Sequence, residues 1–200
     1  MIHPDKAVRD AGMARLGTAL RAAAKLSIPL VTLCTGTRDA DDQWRHHPDN
    51  ATPEAWRDLV IEMEKAAALA ETHGVSLGIE PEQANVVRDA DGALRLLRDV
   101  PSPVLRIVLD PANLFEHATA SEAREIVAQA VDKLGGRIAM AHAKDRDASG
   151  KFVTAGGGVV DFPDFILRLK RAGFDGPVVA HGLDEDKAPE VGRFLSRLLG

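Results

Sequence analysis

The chain has 200 residues, of which 45% are hydrophobic and 28% charged, a composition typical of one folded domain and unlike that of disordered or fibrous chains. Its 30 acidic and 25 basic residues give a formal net charge of -5, which argues against a broadly basic surface for a nucleic-acid backbone. No segment approaches the roughly 18 apolar residues that span a membrane, and the one cysteine, Cys34, cannot form an internal disulfide. We therefore expect a single cytoplasmic domain over residues 1–200, with no nucleic-acid or membrane partner.

Hydrophobic spacing predicts helices and strands that alternate along the chain, which is typical of a parallel α/β fold. Thr52 is a predicted N-cap with Pro53 in the first helical turn, and Gly74 ends that helix. Thr119 and Glu122 form a predicted capping box. The predicted helices cover residues 6–25, 52–74, 89–97, 119–134 and 162–172, with a last helix that ends near residue 199. The predicted strands cover residues 28–34, 75–80, 105–110, 137–142 and 177–181.

Four successive predicted strands each end in a side chain that can bind a metal ion. These residues are Glu80, Asp110, His142 and His181. The carboxyl ends of parallel strands form the functional face of α/β folds, so we expect the four side chains to converge on one rim. The alternative is that each polar residue only marks where its strand leaves the core.

Five segments together resemble the sugar phosphate isomerase/epimerase family, the xylose isomerase-like TIM barrels. The resemblance runs through nearly the whole chain in order and spacing, and it implies a (β/α) barrel whose last four strands hold one divalent metal ion. The segments are Ile79-Glu-Pro-Glu82, Leu109-Asp-Pro-Ala-Asn113, Ala141-His-Ala-Lys-Asp145, Gly156-Gly-Gly-Val-Val-Asp161 and Gly173-Phe-Asp-Gly-Pro-Val-Val-Ala-His-Gly-Leu183.

The resemblance assigns metal ligation to Glu80, Asp110 and His142. It also implies that Asn113 faces the substrate and that Lys144 and Asp145 line its pocket. The fourth ligand of the family is usually a glutamate that also transfers a proton, and His181 occupies that position here. We expect His181 to take both roles, and its imidazole shifts the expected metal from Mg²⁺ toward Mn²⁺, Co²⁺ or Zn²⁺.

The length of the chain departs from the family pattern, because a closed eight-stranded barrel typically takes about 250 residues. The five predicted strands align with the fourth to eighth strands, so the expected fold is an incomplete TIM-type barrel. Either the chain is a fragment of a longer barrel, which we favour, or it is a short form that completes its sheet by association. Uncovered sheet edges argue against an isolated monomer, so a homo-oligomer is one expectation.

These observations predict a divalent-metal-dependent isomerase or epimerase that acts on a small sugar, sugar phosphate or polyol-type hydroxy-carbonyl substrate. The metal would stabilise an enediolate, with Glu80 as general base, Glu82 as its backup or as a partner to a ligand, and Lys144 neutralising developing charge. Because His181 replaces the second carboxylate, a related lyase or dehydratase, or a metal-binding protein without turnover, stays open. An endonuclease-like hydrolase needs more ligands and a basic groove.

Two loops complete the set of candidate binding residues. The long loop after the first predicted strand carries Trp44, Arg45, His46 and His47, which could stack on a sugar ring and pair with an acidic group, or could simply be solvated. The run of three glycines at residues 156–158 could present backbone N–H groups to a phosphate, or could act as a flexible hinge.

Overall fold

The computed structural model describes residues 1–200, which form two compact units, Met1–Ile107 and Val108–Gly200. None of its helices has the length and apolarity that crossing a membrane requires. The helices are α1 Lys6–Lys25, α2 Pro53–His73, α3 Ala90–Asp99, α4 Ala120–Leu134, α5 Phe162–Arg171 and α6 Ala188–Leu199. The strands are β1 Leu30–Cys34, β2 Ser76–Glu80, β3 Leu105–Leu109, β4 Ile138–Ala143, β5 Asp145–Arg146, β6 Phe152–Val153 and β7 Val178–Ala180.

The five longer strands form one parallel sheet in the order β1, β2, β3, β4, β7. In β1 and β2, Cys34 lies opposite Glu80, and in β4 and β7, His142 lies opposite Val179. The prediction of an incomplete α/β barrel with about five parallel strands is therefore confirmed. The antiparallel pair of β5 and β6 was not predicted, because two-residue strands in a polar, glycine-rich segment carry no hydrophobic periodicity.

In the first unit, α1 and α2 pack on each other and on β1 and β2. The hydroxyl of Thr52 accepts a first-turn N–H of α2 at 3.2 Å, and Pro53 costs nothing at a position whose N–H has no helical acceptor. Gly74 ends α2 in the left-handed conformation, with φ of 63°. Leu59 and Met63 are fully buried on the inner side of α2, and such burial contributes about 2 kcal/mol per side chain.

In the second unit, α4 packs against α5, and α6 packs against α5 and β7. The capping box predicted at the start of α4 is confirmed, since Thr119 Oγ1 accepts the N–H of Glu122 and the Glu122 carboxylate accepts the N–H of Thr119. Phe162 and Phe165 on α5 are fully buried, with their rings edge to face and centroids 6.3 Å apart.

The strand bounds place every predicted ligand at the carboxyl end of its strand. Glu80 is the last residue of β2, Asp110 directly follows β3, His142 is the last residue but one of β4, and His181 directly follows β7. The predicted ligands are therefore at the strand ends, where parallel α/β folds place their sites.

Candidate metal centre

Asp110 is held rigidly by the backbone that follows it. It caps the short 3-10 helix Pro111–Asn113, and its Oδ1 accepts the N–H of Ala112 at 2.9 Å. This bond fixes the plane of the carboxylate and directs Oδ2 to other partners. Asp110 is only 1% exposed, and a carboxylate so deeply buried is costly unless charged or polar groups surround it.

Two imidazoles meet Asp110 Oδ2. His181 Nε2 lies 3.1 Å from this oxygen and His142 Nδ1 lies 3.6 Å from it, and the ring centroids of the histidines are 4.4 Å apart. The sheet explains this convergence, because His142 lies opposite Val179 and residues two apart on a strand project from the same face. The second unit therefore brings together three of the four predicted ligands.

The neighbours of Asp110 keep it charged. Burial by itself would raise the pKa of this carboxyl, but hydrogen bonds from His142 and His181 and the positive charge of Lys144 outweigh burial and hold the pKa well below its usual range. Asp110 is therefore an ionised carboxylate at neutral pH, which is the form that binds cations.

The donor atoms in the second unit fit a divalent cation. The ligand atoms of Asp110, His142 and His181 all lie within 4.8 Å of one another. One carboxylate oxygen with two imidazole nitrogens suits Zn²⁺, Mn²⁺ or Co²⁺, whereas Mg²⁺ prefers oxygen ligands alone. The fourth predicted ligand, Glu80, belongs to the first unit and is partly exposed.

Lys144 adds a fixed positive charge beside Asp110. Its Nζ donates a hydrogen bond to Asn113 Oδ1 at 2.7 Å and lies 3.2 Å from Asp110 Oδ2. Lys144 is 9% exposed, and Asn113 is also buried. The structure thus brings both predicted residues into the surroundings of Asp110, with the lysine in a single, well-defined position.

Asp145 is fully buried and organises the loop that follows it. Its carboxylate oxygens accept the backbone N–H groups of Arg146, Gly156, Gly158 and Val160 at 2.8–3.1 Å. These contacts are those of a structural residue and occupy both of its oxygens. The backbone N–H groups of Gly156 and Gly158 donate hydrogen bonds to the Asp145 carboxylate. They are therefore not available to a phosphate, and the phosphate-binding interpretation of the triple glycine is wrong.

Sequence reasoning missed Phe152, which lies on β6 next to Lys144. Lys144 Nζ is 4.2 Å from the centroid of its ring, and the guanidinium carbon of Arg146 is 3.9 Å from that centroid. The ring therefore covers two cations of the second unit. A lone aromatic in a polar segment gives no periodic signal, so only the fold of this loop could identify it.

The candidate residues of the long loop after β1 lie in the first unit and have diverse surroundings. Trp44 is 57% exposed. The guanidinium of Arg45 forms a bidentate ion pair with Asp39, with Nε–Oδ2 at 2.5 Å and Nη2–Oδ1 at 2.8 Å. Much of its hydrogen-bonding capacity is therefore used within the loop. His47 caps the 3-10 helix Pro48–Ala51 by accepting a backbone N–H.

Glu82 and its neighbours form a tight turn after β2. The N–H of Glu82 donates to the carbonyl of Val87 at 3.1 Å, and its own carbonyl accepts the N–H of Asn85 at 2.8 Å. The Glu82 side chain is partly exposed. Its assignment as a substrate ligand stays a prediction.

Several solved structures are similar to this chain at low sequence identity. A xylose isomerase domain protein from Planctomyces limnophilus matches with a TM-score of 0.74 and 21% identity, over 94% of this chain and 64% of its own. A D-psicose 3-epimerase with D-tagatose from Clostridium cellulolyticum H10 matches with a TM-score of 0.70 and 17% identity, over 98% and 73%. An IOLI protein with a bound zinc atom matches with a TM-score of 0.73 and 16% identity, over 98% and 72%.

This chain thus spans only 64% of the length of the Planctomyces protein. No curated protein matches the chain. The family described as xylose isomerase-like TIM barrel matches residues 1–197, which is nearly the entire sequence. The resemblance drawn from the motifs is confirmed: the chain belongs to the xylose isomerase-like TIM barrel family.

Proposed function

We propose that this chain is a divalent-metal-dependent isomerase or epimerase acting on a small sugar, sugar phosphate or polyol-type hydroxy-carbonyl substrate. The observation that carries the proposal is the meeting of His142, His181 and Lys144 at one oxygen of the buried Asp110. Membership of the family and similarity to an epimerase with a ketose in its structure support a carbohydrate substrate.

Asp110, His142 and His181 of the second unit would hold the cation, since they belong to a group of residues that could bind a metal ion. The family resemblance assigns Glu80 as a further ligand. The similar IOLI structure is described with zinc, in agreement with a site that contains two imidazoles. When bound, a divalent cation supplies Lewis-acid stabilisation of negative charge on a substrate carbonyl oxygen.

The residues of the chain supply the proton transfers. The Glu80 carboxylate takes the proton from the carbon beside the carbonyl while the C–H electron pair shifts toward the carbonyl oxygen, and the proton then returns to carbon. The family resemblance places His181 in the second proton transfer. Its neutral imidazole has one lone pair, so it would carry a proton only when it does not hold the cation. The ammonium of Lys144 offsets the negative charge that develops on oxygen, and Asn113 holds that ammonium in place.

Solvent deuterium exchange tests the proposed reaction directly. The full chain loaded with Mn²⁺ is incubated in deuterated water with D-tagatose, D-allulose or L-ribulose, and incorporation beside the carbonyl is measured by NMR. We expect exchange that Asp110→Asn abolishes together with Mn²⁺ binding, whereas Asp186→Asn, at an exposed position on the 3-10 helix Glu185–Lys187, leaves both unchanged. Mn²⁺ binding without exchange of any of these sugars would contradict the proposed activity and favour a metal-binding protein without turnover.

A further inference from the structure

Phe152 lies on β6 with 44% of its surface exposed, so burial in the core does not explain an aromatic ring at this position. The ring instead faces two cations. Lys144 Nζ lies 4.2 Å from its centroid, and the guanidinium carbon of Arg146 lies 3.9 Å from it. Both distances are within the roughly 6 Å over which the face of an aromatic ring attracts a cation. None of the roles in the proposed reaction uses this contact.

The hairpin of β5 and β6 fixes where the ring lies. Phe152 is directly opposite Arg146 in this antiparallel pair, and side chains of directly opposed residues lie on the same face. Arg146 Nε donates to the carbonyl of Ala112 at 3.1 Å, and its Nη1 donates to the carbonyl of Gly150 at 2.7 Å. These bonds anchor the guanidinium to backbone on the neighbouring loop and on the hairpin itself, so the ring that packs against it also has a defined position.

The ring completes the surroundings of the Lys144 ammonium. An ammonium has three N–H groups, and two oxygens lie near this one, Asn113 Oδ1 at 2.7 Å and Asp110 Oδ2 at 3.2 Å. The electron-rich face of Phe152 is a third neighbour of the charge. A lysine stem has many conformers, and each further contact lowers the number that stay populated. Without the ring, we expect the ammonium to spend less time beside Asp110.

We propose that Phe152 is a positioning residue whose ring holds the Lys144 ammonium beside Asp110, where this charge offsets negative charge that develops on a substrate oxygen. The inference rests on the proposed function for the role of Lys144 and deepens it, because it assigns part of the preorganisation to a ring that acts through the lysine. A ring that instead stacked on the sugar itself would change the affinity for substrate rather than the rate.

NMR of the metal-free full chain, labelled with isotopes in lysine, tests the contact without any substrate. Methylene protons next to an ammonium shift upfield when they lie over an aromatic ring, and the Lys144 signal is identified by its absence from Lys144→Met. We expect an upfield-shifted Lys144 signal in wild type. Phe152→Tyr retains the ring and should retain the shift, whereas Phe152→Leu retains only apolar bulk and should lose it.

Steady-state rates of deuterium exchange, with whichever of D-tagatose, D-allulose or L-ribulose exchanges, separate positioning from sugar binding. We expect Phe152→Leu to lower kcat about tenfold and to leave KM within about twofold of wild type, because a cation–π contact contributes to charge stabilisation at that level. Phe152→Tyr should retain at least about half of the wild-type kcat, since its ring attracts the ammonium equally well.

Phe194→Leu is the matched control, because it is the same substitution in the same unit. The Phe194 ring packs edge to face on the buried Phe162, with their centroids 5.8 Å apart. We expect this change to lower the melting temperature, because it removes an aromatic contact from the packing of α6. The Lys144 signal and kcat should stay as in wild type.

The results separate this inference from the proposed function. A Lys144 signal that is unshifted in wild type, or equally shifted in Phe152→Leu, would overturn the inference. A raised KM with unchanged kcat in Phe152→Leu would also overturn it, and would show that the ring contacts the sugar, as would kcat and KM that are both unchanged. A Lys144 signal that follows the ring, in a chain that exchanges no deuterium, would support the positioning of the ammonium and contradict the proposed function.

Discussion

Lys144 donates a hydrogen bond from Nζ to Asn113 Oδ1 at 2.7 Å, and this bond joins the segment after β4 to the 3-10 helix after β3. Both side chains are buried. A lysine on a surface loop would move freely, whereas this one is fixed beside the Asp110 carboxylate at 3.2 Å. The bond therefore sets the position of a positive charge before any substrate arrives, and such preorganisation is what electrostatic catalysis requires.

Replacing Lys144 with methionine removes this charge and retains most of the apolar stem. We expect deuterium exchange into the substrate to slow by about 10²-fold, because a fixed cation no longer offsets charge on the substrate oxygen. Loss of the hydrogen bond to Asn113 should also lower the free energy of unfolding by about 1–3 kcal/mol, measured by urea denaturation. Lys151→Met, at an exposed position of the same loop, should change neither quantity, and an equal loss in both variants would show that the effect belongs to the loop in general.

Gly158 has no room for a side chain. Its N–H donates to Asp145 Oδ2 at 2.9 Å, and an added Cβ would stand 2.5 Å from Asp145 Oδ1. We expect Gly158→Ala to lower the free energy of unfolding by about 1–3 kcal/mol, because the loop must shift away from the buried carboxylate. Gly192→Ala in α6 meets no atom within 4 Å and should instead stabilise the chain by about 0.5–1 kcal/mol. Equal thermal stability of Gly158→Ala and wild type would contradict the fixed loop.

Much of the fold follows from local features of the sequence. Thr52, Gly74 and the box formed by Thr119 and Glu122 mark helix ends through bonds between residues a few positions apart, and the structure has each of these bonds or conformations. The short β-branched runs identify all five strands of the sheet. Three predicted metal ligands of the second unit lie close together because the carboxyl ends of parallel strands lie at the same edge of the sheet. The order of the strands along the sequence is enough to predict this.

The partners of individual polar groups could not be predicted, because contacts distant in sequence decide them. Asp145 has the appearance of a pocket residue in the sequence, yet its oxygens accept N–H groups up to 15 residues further along the chain. Arg45 was predicted to pair with an acidic group of the substrate, yet its guanidinium donates two hydrogen bonds to Asp39. The Oδ1 atom of Asn85 accepts the N–H of Gly36, which is 49 residues away, so this bond could not be predicted from local sequence.

Stability at low pH should depend on Asp39. The hydrogen bond from Arg45, aided by the backbone N–H groups of Asp42 and Asp41, holds the pKa of Asp39 below its usual range. A carboxyl with a lowered folded-state pKa contributes stability above its unfolded pKa of about 3.9, and the contribution is lost as pH falls through the folded value. We therefore expect Asp39→Asn to be less stable than wild type at pH 6, with a difference that shrinks below about pH 4.

Urea denaturation of wild type and Asp39→Asn at pH 6, 4 and 2 measures this difference. Asp41→Asn is the control, because Asp41 is on the same loop but contacts Arg45 only at 3.4 Å, and it should follow the wild-type curve. A difference between Asp39→Asn and wild type that stays constant down to pH 2 would mean that the carboxylate charge does not stabilise the loop.

The histidine at position 181 makes the metal preference testable in one substitution. His181→Glu restores the carboxylate that relatives usually have at the end of the last strand. An additional anionic ligand beside the buried Asp110 raises the affinity for Mg²⁺, which prefers oxygen, and reduces the advantage of Zn²⁺. Without metal, repulsion between the two carboxylates should lower the free energy of unfolding by about 1–3 kcal/mol.

Melting temperatures of wild type, His181→Glu and His181→Gln, each without metal and with Mg²⁺ or Zn²⁺ at matched concentrations, distinguish charge from size. Glutamine removes the imidazole without adding charge, so His181→Gln should lose Zn²⁺ stabilisation and gain none from Mg²⁺. In His181→Glu, Mg²⁺ should recover the stability lost in the metal-free state, because a bound cation adds stability in proportion to the logarithm of its concentration over its dissociation constant. If Mg²⁺ and Zn²⁺ shift all three proteins equally, residue 181 does not contact the cation, and Asp110 and His142 would have to hold it with other partners.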